Sequence, residues 1–217
     1  MRRIAKLPLK LKLPLIMVAL TGTFLVTVAL LIYSMADRSI RENAFAAQEI
    51  EAKSGAQAVQ FLLQAARSDV SSLAGQPAVF RAISNFERVI GMVEEDDPIA
   101  YLKQTYAVDN PNADQPEELL DAGDGSYYNQ SHVTYHPTFL QSLRLNGYQD
   151  LYLISASGQV VYSVKKQGDF MTQVQDAPDS SLAQVYQAAL EAEAGAVVTA
   201  DFSEYAHSTD GVGAFMA

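Results

Sequence analysis

Two histidines four residues apart are the first feature of the sequence that could support chemistry. His132 and His136 lie in the stretch HVTYH, a spacing that places both imidazoles on one helical face, as in paired metal ligands. A zinc protease would need a glutamate base where this chain has Val133, and Pro137 follows the second histidine directly. A structural role is therefore favoured over metal binding, and we expect neither a metal site nor a cofactor.

Other catalytic signatures are weak. The serines of ASGQ and DSSLAQ fit a turn and a helix cap rather than a nucleophile elbow. DAGDGS lacks the lysine of a phosphate loop, and Asp121 and Asp124 lack the spacing of a calcium-binding EF-hand. His207 falls in a predicted loop. The chain has no cysteine, which excludes thiolate metal sites and a cysteine nucleophile. We expect no enzymatic activity from these residues.

Tyrosines suggest a binding surface instead. The chain has 11, and most follow residue 126, where hydroxyl-tipped rings could line a pocket for a small molecule. For any single tyrosine, ordinary packing is the commoner role. Charged side chains near the predicted strands could hold a carboxylate or an amine of a ligand. The candidate ligand-binding residues are Tyr135, Arg144, Tyr148, Tyr152, Tyr162, Lys165, Asp201 and Tyr205.

An uncharged stretch near the N-terminus predicts a membrane span. Residues 13–36 carry no charge, and about 20 apolar residues in a helix cross a hydrocarbon core of about 30 Å. Basic residues precede the stretch and Asp37 follows it, so residues 1–12 are predicted to be cytoplasmic and residues 37–217 periplasmic. A cleaved signal peptide ending at SMA is the alternative, but the apolar run is longer than a signal core.

Charge argues against nucleic acid as a partner. The first 36 residues contain five basic residues and no acid, whereas all 25 acidic residues follow. Phosphate binding needs a dense basic surface, which the outer part of the chain lacks. The acidic excess suits solubility in an aqueous compartment.

Helices are predicted directly beyond the span. Apolar residues recur there at spacings of three and four, which predicts a stalk helix of about 35 residues that continues the span. It should end near Gly75 and Pro77, and a break at Gly55 is the alternative. Residues 78–92 repeat the helical pattern, and a third short helix should begin at Pro98.

The C-terminal half alternates loop, helix and strand. A loop rich in Asp, Asn, Gly and Pro precedes a helix over 127–146, which Gly147 should end. YQDLYLISASGQVVYSVKK then predicts a half-buried hairpin with a positive φ at Gly158. A helix capped by Ser180 or Ser181 follows, with Gly195 as its stop. The last predicted strands are Ala196–Phe202 and Gly213–Ala217.

These elements predict an α+β architecture. A transmembrane helix continues into a long helical stalk, and a small antiparallel sheet with helices follows. The predicted division is a basic tail 1–12, a span 13–36, a stalk 37–108 and a sensor domain 109–217 that is truncated at its C-terminal end.

The sequence resembles the extracytoplasmic Cache-type sensor region, with a PAS-like sheet, of bacterial transducers. The resemblance is carried by the basic N-terminus, the single span, the long outer helix and DLYLISASGQVVYSV. More narrowly, NPNADQPEELLDAGDGSYYNQSHVTYHPTF, GDFMTQV and VVTADFSEYAHS look like the sensor portion of methyl-accepting chemotaxis proteins of alphaproteobacteria. The similarity covers most of residues 100–217.

The resemblance implies a periplasmic domain of a homodimeric chemoreceptor that binds a small molecule or a periplasmic binding protein. A second span, a HAMP linker and the coiled coil that contacts a histidine kinase and an adaptor would lie beyond residue 217. Related sensor regions also precede histidine kinases and nucleotide cyclases, so these outputs are alternatives. A membrane-tethered metalloenzyme using the two histidines, and a stalk whose only role is dimerisation, are further alternatives.

Overall fold

The structure, a computed structural model, describes residues 9–207 and 211–217, so most of the predicted basic tail lies outside the described residues. The chain divides into two compact units, one ending at Phe61 and one from Leu62 to Ala217. The helices and strands are α1 Leu9–Ala74, α2 Pro77–Ile90, α3 Pro98–Lys103, α4 Tyr127–Asn146, β1 Tyr152–Ile154, β2 Val160–Ser163, α5 Ser181–Glu191, β3 Thr199–Glu204 and β4 Val212–Met216. Short helical turns at Gln104–Val108, Pro116–Glu118 and Val174–Asp176 complete them.

The first unit consists of the N-terminal part of α1. Its best 18-residue window has a mean hydropathy of 2.6, which makes this helix long and apolar enough to cross a membrane. The threonines satisfy their hydroxyls within the helix: Thr27 Oγ1 donates to Thr23 O at 2.8 Å, and Thr23 Oγ1 donates to Leu20 O at 2.9 Å. Such bonds lower the cost of placing hydroxyl groups in hydrocarbon.

The part of α1 that follows the apolar stretch is a polar helix that continues unbroken through Gly55, as predicted, and the alternative of a break there is wrong. Exposed ion pairs one turn apart, such as Arg38 with Glu42 at 3.1 Å, each add about 0.3–0.5 kcal/mol. Apolar side chains such as Ile50 remain exposed on it. The helix ends at Ala74, as Gly75 and Pro77 predicted.

The core of the second unit is aromatic. Phe86 of α2 stacks on Tyr162 of β2 with ring centroids 5.1 Å apart, and it lies at the same distance from Tyr128 of α4. Tyr128 donates its hydroxyl to Val161 O at 3.0 Å, so the ring is buried without leaving a polar group unpaired. The core includes α2 and α3, two helices that the sequence analysis assigned to the stalk.

The predicted hairpin forms, with Leu153 paired to Tyr162 and with Gly158 at a φ of +86°. However, β2 is buried along its whole length, whereas alternation predicted one exposed face. The reason is that both faces are covered. Tyr162 packs into the aromatic core, while Val160 packs with Leu182 of α5.

The second hairpin, β3 with β4, also forms. Among the described residues the two hairpins are separate two-stranded sheets, not the single sheet that the sequence predicted. Strands β3 and β4 pack against α5 instead. The remaining helix predictions agree with the structure: Ser180 caps α5 through Ala183 N, and Gly147 ends α4 at a φ of +69°. Helix α5 ends at Glu191, four residues before the predicted stop.

Candidate functional site

One carboxylate of the second unit lies among aromatic rings from three strands. We call Asp169, Tyr152, Tyr205, His207 and Phe215 the Asp169 site. The ring centroids of Tyr205 and Phe215 are 4.9 Å apart, those of Tyr152 and Phe215 are 6.2 Å apart, and His207 meets Tyr205 edge-on at 5.8 Å. The two hairpins therefore contribute to one polar site although their strands do not pair.

The loop after β2 positions the carboxylate. Phe170 N donates to Gln167 O at 2.9 Å, and Thr172 donates to Asp169 O through its amide at 3.1 Å and its hydroxyl at 2.7 Å. Gly168 leaves room for the imidazole of His207, because a Cβ at this position would lie 2.1 Å from His207 Nδ1. The loop thus holds Asp169 in place, and the absence of a side chain at Gly168 leaves space for the His207 ring.

The two carboxylate oxygens of Asp169 differ in their hydrogen-bond contacts. Oδ2 accepts hydrogen bonds from the hydroxyls of Tyr205 and, at 3.4 Å, of Tyr152. Burial, followed by nearby acidic groups, raises the pKa of both tyrosines, so each hydroxyl keeps its proton and acts as a donor. Oδ1 lies 3.6 Å from His207 Nε2, beyond hydrogen-bond distance, and has no closer partner among the described residues.

The Asp169 site is partly open to solvent, and His207 is its most exposed side chain. The Asp169 side chain is 10% exposed and the His207 side chain is 43% exposed. Tyr205 is buried, while Phe215 and Tyr152 are half-buried. The arrangement can accept a hydrogen bond and place a small group against aromatic faces.

A second polar group lies deeper. We call Asp150, Ser163, Lys166, His132 and His136 the inner polar cluster. Asp150 accepts from Ser163 Oγ at 2.6 Å on one oxygen, and from the amides of Leu151 at 2.7 Å and Lys165 at 3.0 Å on the other. Burial raises the Asp150 pKa, and these hydrogen bonds and the charge of Lys166 oppose the rise. Both oxygens are therefore occupied by the protein.

Lys166 is a buried lysine in an unusual backbone conformation. It is 2% exposed, has a φ of +52° and donates its amine to Val164 O at 2.9 Å. Burial lowers the pKa of its amine to about 7, although Asp150 and Glu117 favour the charged form. Lys166 is therefore a core residue, although a lysine that directly follows a hairpin would be expected in a solvent-exposed loop.

The two histidines are stacked core residues, with ring centroids 4.4 Å apart. His136 donates from Nε2 to Glu117 O at 2.7 Å and accepts the Tyr162 hydroxyl on Nδ1 at 2.6 Å. His132 donates from Nδ1 to Leu120 O at 2.9 Å, and its buried Nε2 has no hydrogen-bond partner among the residues that the structure describes. Burial, followed by Lys166, lowers the pKa of His136 to about 4 and that of His132 well below its usual value.

These contacts favour the structural role of the histidines over metal binding. Three of the four ring nitrogens are engaged by the protein, and within the described part of the chain no three His, Asp or Glu side chains converge on a possible metal position. Asp121 and Asp124 act as local acceptors: Asp121 binds Asn129 Nδ2 at 2.6 Å, and Asp124 binds Ser126 N at 2.9 Å.

The structure brings two of the eight candidate residues together, Tyr152 and Tyr205. Tyr162 lies in the core against His136, and Lys165 lies beside the inner polar cluster, where its amide binds Asp150. Three further candidates lie away from the Asp169 site. Tyr148 donates to Asp69 of α1 at 2.8 Å, Arg144 pairs with Glu118, and Asp201 is exposed on β3.

The remaining candidate, Tyr135, packs against Phe86 at 5.8 Å, at the edge of the aromatic core. Three residues of the Asp169 site were not predicted from the sequence as candidate site residues: Asp169, His207 and Phe215. The available signal was GDF, a small residue followed by a carboxylate in the polar loop after the first hairpin.

Comparison with known proteins adds no relationship: no family model, curated protein or solved structure matches the chain.

Proposed function

We propose that this chain is the ligand-sensing, extracytoplasmic part of a single-span membrane receptor of the chemoreceptor type. The observation that carries the proposal is the Asp169 site, where one carboxylate oxygen has no hydrogen-bond donor among the described residues and lies beside aromatic rings. Unfilled polar atoms in a partly open aromatic site are typical of ligand pockets. The apolar helix near the N-terminus and the sequence resemblance to Cache sensors support the same function.

A route from the site to α1 supports a signalling role. The β1–β2 hairpin carries Tyr152, and Tyr148, four residues earlier, binds Asp69 on α1 at 2.8 Å. Leu73, on the last turn of α1, packs against the aromatic core. A ligand that prefers one arrangement of the hairpin would shift a two-state equilibrium, and the last turns of α1 would move with it.

Chemoreceptor output, through a histidine kinase and adaptor bound by a further cytoplasmic part, is the preferred form of this proposal. Input to a membrane histidine kinase or a nucleotide cyclase is the alternative. A periplasmic binding protein could serve as the ligand instead of a small molecule. The same physical scheme applies in each case, since only the binding partner or the output differs.

A homodimer fits the exposed apolar side chains of α1. Ile40 and Ile50, which occupy the a and d positions of a heptad pattern, are 68% and 66% exposed on the part of α1 that follows the apolar stretch. A second copy would cover them as a parallel pair of helices. With Ile50→Cys in this cysteine-free chain, oxidation of membranes should give a disulfide-linked dimer, and Glu51→Cys on the next helix face should give much less. Equal yields would contradict pairing through this face.

The orientation is tested by cysteine labelling. A membrane-impermeant maleimide added to cells with a permeabilised outer membrane should label Asp114→Cys but not Arg3→Cys. The reverse pattern would place the globular unit in the cytoplasm and end the proposal.

The sensing function is tested on the full chain in lipid nanodiscs. We expect at least one class among amines, carboxylates, sugars and neutral amides to raise the melting temperature, and Asp169→Asn to abolish the rise. Asp201→Asn is the matched control, because this aspartate is exposed and accepts a hydrogen bond from the adjacent Phe202 amide at 2.7 Å. If no class stabilises the wild type, small-molecule sensing at this site is wrong.

A further inference from the structure

The chemical class of the ligand follows from the charges and donors of the Asp169 site. Resting on the proposed function, we infer that the site binds a small organic cation with a primary ammonium group, held by Asp169 Oδ1 and the rings of Tyr152, Tyr205, His207 and Phe215. Such a ligand is a simple amine and carries no carboxylate of its own.

The charge of Asp169 selects a cation. Among the described residues no lysine or arginine nitrogen lies within 4 Å of this carboxylate, and its one nearby basic group is the imidazole of His207 at 3.6 Å. The lysine closest in sequence, Lys166, directs its amine to Val164 O in the core. A largely buried carboxylate without a permanent counter-charge gains most from a cationic ligand.

The hydrogen-bond pattern selects an ammonium with N–H groups. Both tyrosine hydroxyls already donate to Oδ2, so Oδ1 is the acceptor that remains. A primary ammonium has three N–H donors and can satisfy this oxygen directly. A quaternary ammonium has none and would leave Oδ1 unpaired, although it would have the same charge.

The ring walls select a small, partly apolar body. The ring centroids of Tyr205 and Tyr152 lie 4.9 Å and 6.2 Å from that of Phe215, and aromatic faces attract cations. A ligand carboxylate would find no fixed cation here and would lie near Asp169, which repels it. Amines should therefore bind better than the corresponding amino acids.

Gly168 gives a second, independent observation. Any side chain there would collide with the His207 ring, since a Cβ would be 2.1 Å from Nδ1 and 2.4 Å from Cε1. The chain thus has a glycine where the imidazole must lie close to the carboxylate. With 43% of its side chain exposed, His207 is the wall that a ligand can displace to reach Oδ1.

The test is calorimetric titration of the full chain in nanodiscs. The probes are ethylamine, butylamine and 2-phenylethylamine, with N-butylacetamide, butyrate, 4-aminobutyrate and butyltrimethylammonium as matched comparisons. We expect at least one amine to bind. Asp169→Asn, which keeps an oxygen for the tyrosine hydroxyls, should weaken its binding at least tenfold, and Asp201→Asn should leave it unchanged.

The comparison ligands separate this inference from the sensing proposal. The trimethyl analogue, the amino acid, the amide and the acid should each bind at least tenfold more weakly than butylamine. If the acid or the amide binds best and Asp169→Asn removes that binding, the site is a sensor site but not for amines. If no amine binds, the inference is wrong. It is also wrong if the Asp169→Asn variant is folded, as judged by its melting temperature, and binds amines as tightly as the wild type.

Discussion

Two aspartates flank the first hairpin, and the protein uses them in opposite ways. Asp150, before β1, has three hydrogen-bond donors distributed over both oxygens, two of them backbone amides. Asp169, after β2, has its donors on one oxygen, and both are tyrosine hydroxyls at the edge of the unit. The first carboxylate holds the chain in place, whereas the second has one oxygen with no hydrogen-bond donor in the part of the chain that the structure describes.

The inner polar cluster and the Asp169 site differ in the same way in their exposure to solvent. The inner polar cluster is closed: Lys166 is 2% exposed, and His132 and His136 are at most 1% exposed. In the Asp169 site, by contrast, the side chain of Asp169 is 10% exposed and that of His207 is 43% exposed. Burial of a charged residue therefore does not by itself indicate a binding site in this fold. The two groups differ in whether the carboxylate oxygens already accept hydrogen bonds from the described residues.

The largest expected effect is on stability, from Asp150→Ala. This change leaves the Ser163 hydroxyl and two amides without an acceptor, which should lower the free energy of unfolding by about 3 kcal/mol. Asp169→Asn should cost less than about 1 kcal/mol, because it retains an acceptor. Denaturant unfolding of the full chain in detergent, followed by tyrosine circular dichroism, measures both.

Asp201→Ala is the control for this pair and should change stability by less than about 0.5 kcal/mol, since its side chain is exposed. The contrast between the aspartates fails if Asp150→Ala is no more destabilising than this control.

The next effect concerns pH and Lys166. Its pKa is lowered to about 7 in the folded chain, against about 10.4 when unfolded. Between these values the unfolded chain binds the additional proton, so wild-type stability should rise with pH. Lys166→Met should remove up to about 1 kcal/mol per pH unit of that slope between pH 7 and 9.5.

Unfolding measured at several pH values checks the slope, with Lys165→Met as the control because Lys165 is only half-buried. A Lys166→Met variant that retains the wild-type slope would show that the amine is not buried as described.

A smaller effect is expected from Gly168→Ala, which acts on the Asp169 site alone. The new methyl group should push the His207 ring from its place and weaken amine binding about fivefold, or about 1 kcal/mol. The melting temperature should hardly change, because the displaced ring is at the surface. Titration of butylamine measures the loss.

Gly91→Ala is the matched control, since a Cβ there meets only Arg88 O at 3.6 Å. Equal affinities for the two variants would mean that His207 does not contribute a wall of the site.

The smallest effect is expected at Tyr148. Tyr148→Phe removes the hydrogen bond to Asp69, and since the pair is partly exposed the cost should be about 0.5–1 kcal/mol. Amine affinity should change by less than about fivefold, because the tyrosine lies outside the Asp169 site and acts on it only through the coupling between the hairpin and α1. Thermal melting and titration of one sample check both, and complete loss of binding would contradict the assignment of the ligand contacts to the Asp169 site.

Local patterns predicted most of the elements. Helix α4 and its end at Gly147, the cap at Ser180 and the turn at Gly158 depend on neighbours a few residues away, so the sequence reveals them. The burial of both faces of β2 was not predictable from alternation, because α5 and α2 cover it from distant parts of the chain.

The site was harder to predict than the fold. Tyr152 and Tyr205 were chosen by residue type, and 53 positions separate them. Asp169 was missed because its surroundings form only when both hairpins fold around it, which brings Tyr152 and Tyr205 to the same carboxylate oxygen. Lys166 reads as a solvated loop residue, since lysines are rarely buried without a partner, and its positive φ has no signal in a non-glycine residue.

The most direct test compares the two aspartates in one spectrum. In the full chain labelled with ¹³C-aspartate in nanodiscs, the γ-carboxyl signals are assigned with Asp150→Asn and Asp169→Asn, and butylamine is titrated in. We predict that the Asp169 signal moves with saturation while the Asp150 signal stays in place. A fixed Asp169 signal, or a shift of Asp150 alone, would contradict the account.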